Sequence, residues 1–480
     1  MRLSEYVDHD ATALASLVTG GELTPLELMR LAREAHDEVN PRINAIIEFY
    51  EDADAVAGAD GGLFHGVPFL RKDIGATEAG RLQEQGSRLF KGYRPQTDSH
   101  FFRRARNAGL RTIGRTTCPE LGTSGMSQSV LNGITGNPWN LERSAGGSSS
   151  GAAAAVAAGI TPIAHASDSG GSIRIPASWC GLVGLNPSRG RVSGGPNDQD
   201  ALLGLSRMFI LCRTVRDMAA ALDVFSGPYP GDPFIIVQPS RPYVDELFRP
   251  SRTLRIGVAR TKWGGIDVEL EVLQAVDKIA ALLEEMGHLI MEIDPPYDPD
   301  ERTRISLGSY ALNAKSLEDA ARAMGRTIDA DSLEPVNLKL YEYSRNSPPA
   351  SMGDLLEDIR RFRFRLGEAI DAFDILLTPT MPVVAPSHGG IYCTTNPTVS
   401  AMEFMDADAA TAIYGYMGVF NITGHPSVSL PLAHSTNGLP IGLQIVGRFG
   451  DEATLVRISR DLEQACPWRH RTPSVRAGRS

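Results

Sequence analysis

The sequence predicts an α/β protein built on a single large mixed β-sheet covered by helices. Three observations predict it. Short apolar runs alternate with helical stretches between residues 66 and 212, a second strand–helix pair begins near Thr253, and two apolar runs joined at Asn437-Gly438 lie near the end of the chain. At 480 residues the chain can bury a large core. No repeat or low-complexity linker divides it, so one domain, 1–480, is expected.

The elements follow in order. The first 50 residues read as helices. "TPLELMRLAREAHDEVN" opens with the cap-like pair Thr24-Pro25 and places Leu26, Leu28, Leu31 and Ala32 on one stripe. From Gly66, "GVPFLRKDIG" is a short apolar run with Lys72 at its end. "SHFFRRARNAGLRTIGRT" reads as a helix stopped by Gly109 and followed by a strand. "GAAAAVAAG" reads as a helix of small residues, and "TPIAHASD" and "IRIPASWCGLVGL" as extended segments. "TLRIGVA" is a further strand, followed by a helix with Val272, Val276, Ile279, Leu283 and Met286 at helical spacing and Gly287 as its stop. The span 295–365 is polar and helical. "DILLTPTMPVVAP" and "SVSLPLAHSTNGLPIGLQIVG" return to strands, the second with a hairpin signal at Asn437-Gly438. The expected subdivision is 1–60 N-terminal helices, 61–230 core, 231–365 a variable helical region and 366–480 the C-terminal part of the core.

Composition narrows the function. Acids outnumber bases by 57 to 47, a formal charge of −10, which argues against a nucleic-acid partner because phosphate contacts need clustered Lys and Arg. The run "RRFRFR" at Arg360–Arg365 alternates with Phe and reads as the solvated face of a helix. Five cysteines, widely spaced and without a CxxC pair, suggest neither a disulfide framework nor a zinc site. The N-terminus has no basic region ahead of an apolar core, and no run of about 18 apolar residues occurs. The expectation is a cytoplasmic protein with no membrane partner.

Three segments carry chemistry: "RSAGGSSSGAAAAVAAG" from Arg143, "DSGGSIR" from Asp168, and Lys72 in its apolar setting. A Gly-Ser run is usually a linker, but this one opens a helix of small residues, the arrangement of an anion or oxyanion site. It lacks the GK[ST] ending of a phosphate loop. Gly147-Ser148-Ser149-Ser150-Gly151 fits G-x-S-x-G formally, but the preceding "GNPWNLERSA" is too polar for the buried strand that a nucleophile elbow needs. The spacings of a metal site are absent.

Together, Lys72 in "GVPFLRKD", Ser148 in "SAGGSSSG" and Ser172 in "DSGGSIRIPASWCGLVGLNPSRGRVS" resemble the amidase signature family. The similarity extends to the N-terminal helices and to "DILLTPTMPVVAP", "NITGHPSVSLPL" and "GLPIGLQIVGRFGDE", and is loose only over about 230–360. It implies the amidase signature fold, with 61–230 as the signature core. It also implies an amide hydrolase with a Ser–cis-Ser–Lys triad: Ser172 as nucleophile, Ser148 as bridge and Lys72 as base, through an acyl-enzyme and with no metal or organic cofactor. An alcohol needs a base to become a nucleophile. For Lys72 to be half neutral at pH 7, its pKa must fall by about 3.4 from ~10.4, about 4.6 kcal/mol, within what full burial supplies.

The Gly147-Ser148 peptide is implied to be cis. Ser149 matches a position that hydrogen-bonds within this network. The backbone amides of Ser169, Gly170, Gly171 and Ser172 are expected to form the oxyanion hole, since glycines let that backbone curl round one point. Ser167, Asp168 and Arg174 are expected to support the loop. The substrate is implied to be a small linear, aryl or cyclic amide, and a homodimer is the family-level expectation. "NPWNLERSAGGSSSG" and "PIAHASD" are most similar in wording to the 6-aminohexanoate cyclic-dimer hydrolases. Those enzymes share a substrate-contacting cysteine in the middle region, whereas this chain has no cysteine between Cys212 and Cys393. Two alternatives stand beside this reading. One is a glutamyl-tRNA amidotransferase A-type subunit acting only with partner chains; the other is a non-catalytic binding protein on the same fold.

Overall fold

The computed structural model describes residues 1–56, 58–198, 201–311, 313–346, 351–405 and 412–479. Eleven strands form one mixed sheet: β1 (Ile46–Phe49), β2 (Pro68–Lys72), β3 (Arg111–Thr116), β4 (Ile163–Asp168), β5 (Val183–Asn186), β6 (Arg207–Cys212), β7 (Arg255–Val258), β8 (Leu289–Glu292), β9 (Ile375–Pro379), β10 (Ser427–His434) and β11 (Pro440–Gly447). Their order across the sheet is β1-β3-β2-β4-β6-β5-β10-β11-β9-β7-β8. β2 runs parallel to both β3 and β4, and β7 runs parallel to β8 and β9; the other ladders are antiparallel. β2, β4, β5, β6, β9 and β11 are buried along their whole length. Helices cover both faces, which is why these strands read as continuous apolar runs rather than alternating ones.

Local signals account for the elements. Thr24 caps the helix Pro25–Ile43 in a reciprocal box with Glu27, and Leu28, Met29, Leu31, Ala32, Ala35, Val39 and Ile43 are its buried residues, while Leu26 is exposed. The small-residue helix Ser150–Ala157 is wholly buried. The β10–β11 hairpin closes on Thr436-Asn437-Gly438. The Ser435 N–H donates to the Leu439 carbonyl, and Gly438 sits at φ +76, a three-residue loop. Arg360–Arg365 lies on the helix Ser351–Ile370, with Phe362 buried and Arg360, Arg361, Phe364 and Arg365 exposed.

Three readings change. Ile46–Phe49, within the stretch read as helical, is the sheet's edge strand. Besides β7, which is the strand expected in "TLRIGVA", the region 231–365 adds a second strand to the sheet, β8. "IRIPASWCGLVGL" is not one extended run: Arg174–Cys180 is a helix, and only Val183–Asn186 is a strand. Pro176 falls in the first turn of that helix, where the missing N–H costs nothing. The Asp168 carboxylate accepts from the Ile173 and Arg174 amides at its start, and Gly181 ends it at φ +70.

β2 and β4 are parallel neighbours, paired Phe69 with Ile163 and Leu70 with Ala164, so Lys72 and Asp168 both stand at carboxyl ends on one edge of the sheet. Crevices outside such strand ends are where open α/β sheets place their sites.

Candidate active site

Side chains alternate across a strand, and around Lys72 the alternation separates three charges. Arg71 reaches Glu78 at 3.9 Å, and Asp73 pairs with Arg115 at 2.8 Å. Lys72, fully buried between them, makes no ion pair among the described residues. Its Nζ lies 2.8 Å from Ser148 Oγ, 2.9 Å from Ser167 Oγ and 3.4 Å from the Ser167 carbonyl. Burial pushes the amine down to about 8, and the Asp168 carboxylate opposes that shift. The fall is smaller than half-neutrality at pH 7 requires, so about one amine in ten is uncharged at that pH.

Ser148 is set by the turn before the helix Ser150–Ala157. The Gly147-Ser148 peptide is cis. A β-carbon on Gly147 would stand 2.3 Å from the Met126 carbonyl oxygen and 2.7 Å from that of Ser124, so no other residue fits. Ser149 donates to the Ser167 carbonyl at 3.3 Å and accepts from the Ser167 N–H at 3.4 Å, tying the turn to the end of β4.

Asp168 and Arg174 organise the loop between them. Both are fully buried, with Arg174 Nε 2.9 Å from Asp168 Oδ2 and Arg174 Nη2 2.9 Å from Oδ1. Burial raises the Asp168 pKa, but the Arg174 charge and the hydrogen bonds outweigh it and hold the carboxyl down at about 2. Asn421 donates to Asp168 Oδ1 at 2.8 Å, and Gln444 accepts from Arg174 Nη1 at 2.8 Å, which anchors the loop to the helix Gly418–Thr423 and to β11. The Gly171 N–H also donates to Asp168 Oδ1, at 2.7 Å. Of the four amides expected to form an oxyanion hole, that of Gly171 therefore has an acceptor within the loop. The amides of Ser169, Gly170 and Ser172 carry no hydrogen bond among the described residues. Ser172 is half-buried, and its hydroxyl makes no hydrogen bond to Ser148.

Two cavities meet here. One of about 750 Å³ is lined by Ser148, Ser167, Gln83, Tyr93 and Tyr341 among others. The other, of about 120 Å³, is lined by Ser172, Gly170, Ile175, Ile305 and Phe404, with Arg302 in its wall. Ser169, Gly122, Thr123, Leu202 and Tyr310 border both.

Sequence reasoning missed His165, whose Nδ1 accepts from the Lys72 N–H at 3.3 Å, leaving the proton on Nε2. Burial, then the Lys72 and Arg71 charges, hold it well below the ordinary histidine range. A lone histidine in an apolar strand was its only signal. The cavity-lining residues of 299–346 were also missed, since polar helices carry no motif. Among the described residues no cluster of His, Cys, Asp and Glu could hold a metal ion, and no helix is long and apolar enough to cross a membrane.

The fold and the site define a hydrolase of amide bonds. The chain belongs to the amidase family, whose model matches residues 27–456. It is 34% identical over 478 residues to the 6-aminohexanoate-cyclic-dimer hydrolase of Paenarthrobacter ureafaciens, covering 97% of this chain and 96% of that one. The solved structure of a 6-aminohexanoate cyclic dimer hydrolase complexed with substrate superimposes with a TM-score of 0.91 at 33% identity, covering 98% and 99% of the two chains. A bacterial aryl acylamidase of the amidase signature family superimposes at 0.87 with 26% identity, over 98% and 99%.

Removing Arg174 would strand a buried carboxylate. Arg174→Met should therefore cost about 3–5 kcal/mol, read as a lowered thermal unfolding midpoint. Asp168→Asn in the same chain should restore part of that loss, because the uncompensated charge is then gone. A double variant no more stable than Arg174→Met would remove the ion pair from its organising place.

Proposed function

We propose that this amidase cleaves its substrates with Lys72, Ser148 and Ser172, through an acyl-enzyme and without a partner chain. The observation that carries the reading is the Lys72 amine: fully buried, free of any ion pair among the described residues, and 2.8 Å from Ser148 Oγ. A lysine whose only task was structural would be expected to have a carboxylate, as Arg115 has in Asp73.

In this mechanism neutral Lys72 takes the proton of Ser148 while Ser148 takes that of Ser172. Ser172 Oγ then bonds to the amide carbon. The carbonyl oxygen becomes negative and is held by the free amides of Ser169, Gly170 and Ser172, donors of a kind worth about 2.7–4 kcal/mol each in the transition state. Collapse breaks the C–N bond. Ser148 passes its proton to the leaving nitrogen and recovers one from the Lys72 ammonium. Water then attacks the acyl-enzyme by the same relay and frees Ser172. Ser148 and Ser172 make no direct hydrogen bond in this structure; catalytic hydrogen bonds often tighten only around substrate. Substrates are small linear, aryl or cyclic amides. The similarity to cyclic-dimer hydrolases supports the cyclic class, and the likeness to an aryl acylamidase supports the aryl one.

Two outcomes test the reading. Ser172→Ala should fold normally but lose both turnover and the mass increment of an acyl or phosphonyl adduct; turnover at a tenth of wild type or more would remove Ser172 as nucleophile. Because only the uncharged amine accepts a proton, kcat/KM should rise with pH and level off above about 8. Lys72→Met should be slower by about 10²–10⁴-fold and should lose that inflection. A variant that kept it would place the titration on another group.

A further inference from the structure

The two cavities differ about sixfold in size, and the serines divide between them. Ser148 lines the cavity of about 750 Å³ and not the small one, whereas Ser172 lines the cavity of about 120 Å³ and not the large one. Ser169 and Tyr310 stand where the two meet.

The chemistry proposed above gives this division a direction. The group that hands its proton to the leaving nitrogen must come within hydrogen-bond reach of that nitrogen. Ser148 has this task, so the nitrogen and whatever it carries lie on the Ser148 side. The carbonyl carbon sits at Ser172, with its oxygen at the amides of Ser169, Gly170 and Ser172. The acyl substituent then extends away from Ser148, into the small cavity.

We propose that the small cavity is the acyl pocket and the large one the amine pocket, so that the preferred substrates are amides of short acyl groups on bulky amines. The assignment rests on the Ser172–Ser148 reading and adds the substrate class to it. A dry cavity of about 150 Å³ takes one benzene molecule, so 120 Å³ admits an acyl group of no more than about six carbons. Ile175, Leu205, Ile305 and Phe404 give the small cavity an apolar wall, beside the polar side chains of Ser306, Ser309 and Arg302. The large cavity falls in the range that holds a drug-sized ligand. Tyr93, Tyr341 and Phe90 supply aromatic surface there, and Gln83 and Asn337 supply polar groups. The helix Pro299–Ala311 contributes Ile305 and Ser309 to the acyl pocket, and the helix Asn313–Met324 contributes Leu317 and Ala320 to the amine pocket, with Tyr310 of the first helix bordering both.

Two isomers test the assignment, N-(4-phenylbutyl)acetamide and N-ethyl-4-phenylbutanamide. They have the same atoms and alkylamine leaving groups of similar basicity, and differ in which side of the amide is bulky. The wild-type enzyme should show kcat/KM at least about tenfold higher for the acetamide. Equal rates, a reversed preference, or cleavage of neither isomer by enzyme that hydrolyses acetanilide would overturn the assignment. Ile305→Ala, which opens the small cavity, should narrow the ratio by raising the rate on the butanamide. Ala320→Phe, at a half-buried position able to accept bulk, should narrow it by slowing the acetamide. Ratios unchanged in the folded variants would overturn it too, and Ala320→Phe carries this arm alone if Ile305→Ala fails to fold. Labelling with a methyl fluorophosphonate separates the two levels of the argument. A label on Ser172 with the preference reversed sinks only the pocket assignment, whereas a label on another residue removes the reading beneath it as well.

Discussion

Everything at the centre of this protein is arranged around an amine taken out of water without a countercharge. Desolvating an ammonium is costly, and a fold ordinarily answers the cost with a carboxylate. Here the neighbouring charges on β2 receive their partners and Lys72 does not: Arg71 has Glu78 and Asp73 has Arg115. What surrounds Lys72 Nζ is oxygen of lower charge, the hydroxyls of Ser148 and Ser167 and the Ser167 carbonyl. Such a setting favours the uncharged amine, which can accept hydrogen bonds from hydroxyl groups. The nearby Asp168 carboxylate opposes that shift.

That carboxylate serves a second purpose. Asp168 ends β4, and its two oxygens gather the amides of Gly171, Ile173 and Arg174 together with the Arg174 guanidinium. One side chain thus closes the loop, starts the helix Arg174–Cys180 and leaves the intervening amides of Ser169, Gly170 and Ser172 without acceptors. Asn421 and Gln444 carry the same network to the C-terminal third of the chain. A loop held this way is rigid before substrate arrives, and preorganisation is what electrostatic stabilisation of a developing oxyanion requires. The relation between the two sites is therefore a compromise, because the group that organises the amides also holds the lysine closer to its charged form.

Much of this was legible from residues alone. The buried strands were plain because burial on both faces makes them continuously apolar, and the glycine–serine turn stood out because a linker has no reason to open a packed helix. The helix Arg174–Cys180 escaped because its start signal is a carboxylate six residues earlier rather than an adjacent cap. Gly171 was assigned to the oxyanion hole on the pattern of glycines. Only the three-dimensional course of Asp168 reveals that its amide is already taken. His165 shows a further limit: its role under Lys72 depends on the parallel pairing of β2 with β4, a contact between segments 93 residues apart.

The region hardest to read also has the greatest freedom to decide specificity. The turn at Ser148 is tightly constrained, since a β-carbon on Gly147 would meet the Met126 carbonyl and Ser149 is bonded to the end of β4. The helices from Pro299 to Asn346 carry cavity-lining residues of two kinds: Asn337 and Ser344 are buried and hydrogen-bonded, whereas Ala320 borders the large cavity at a half-buried position, where a change alters its volume. This explains how a chain can share about a third of its residues with a cyclic-dimer hydrolase over nearly its whole length and still lack a cysteine anywhere between Cys212 and Cys393. Lys72 and Asp168 are held at strand ends of the sheet, while helices outside it supply much of the cavity wall.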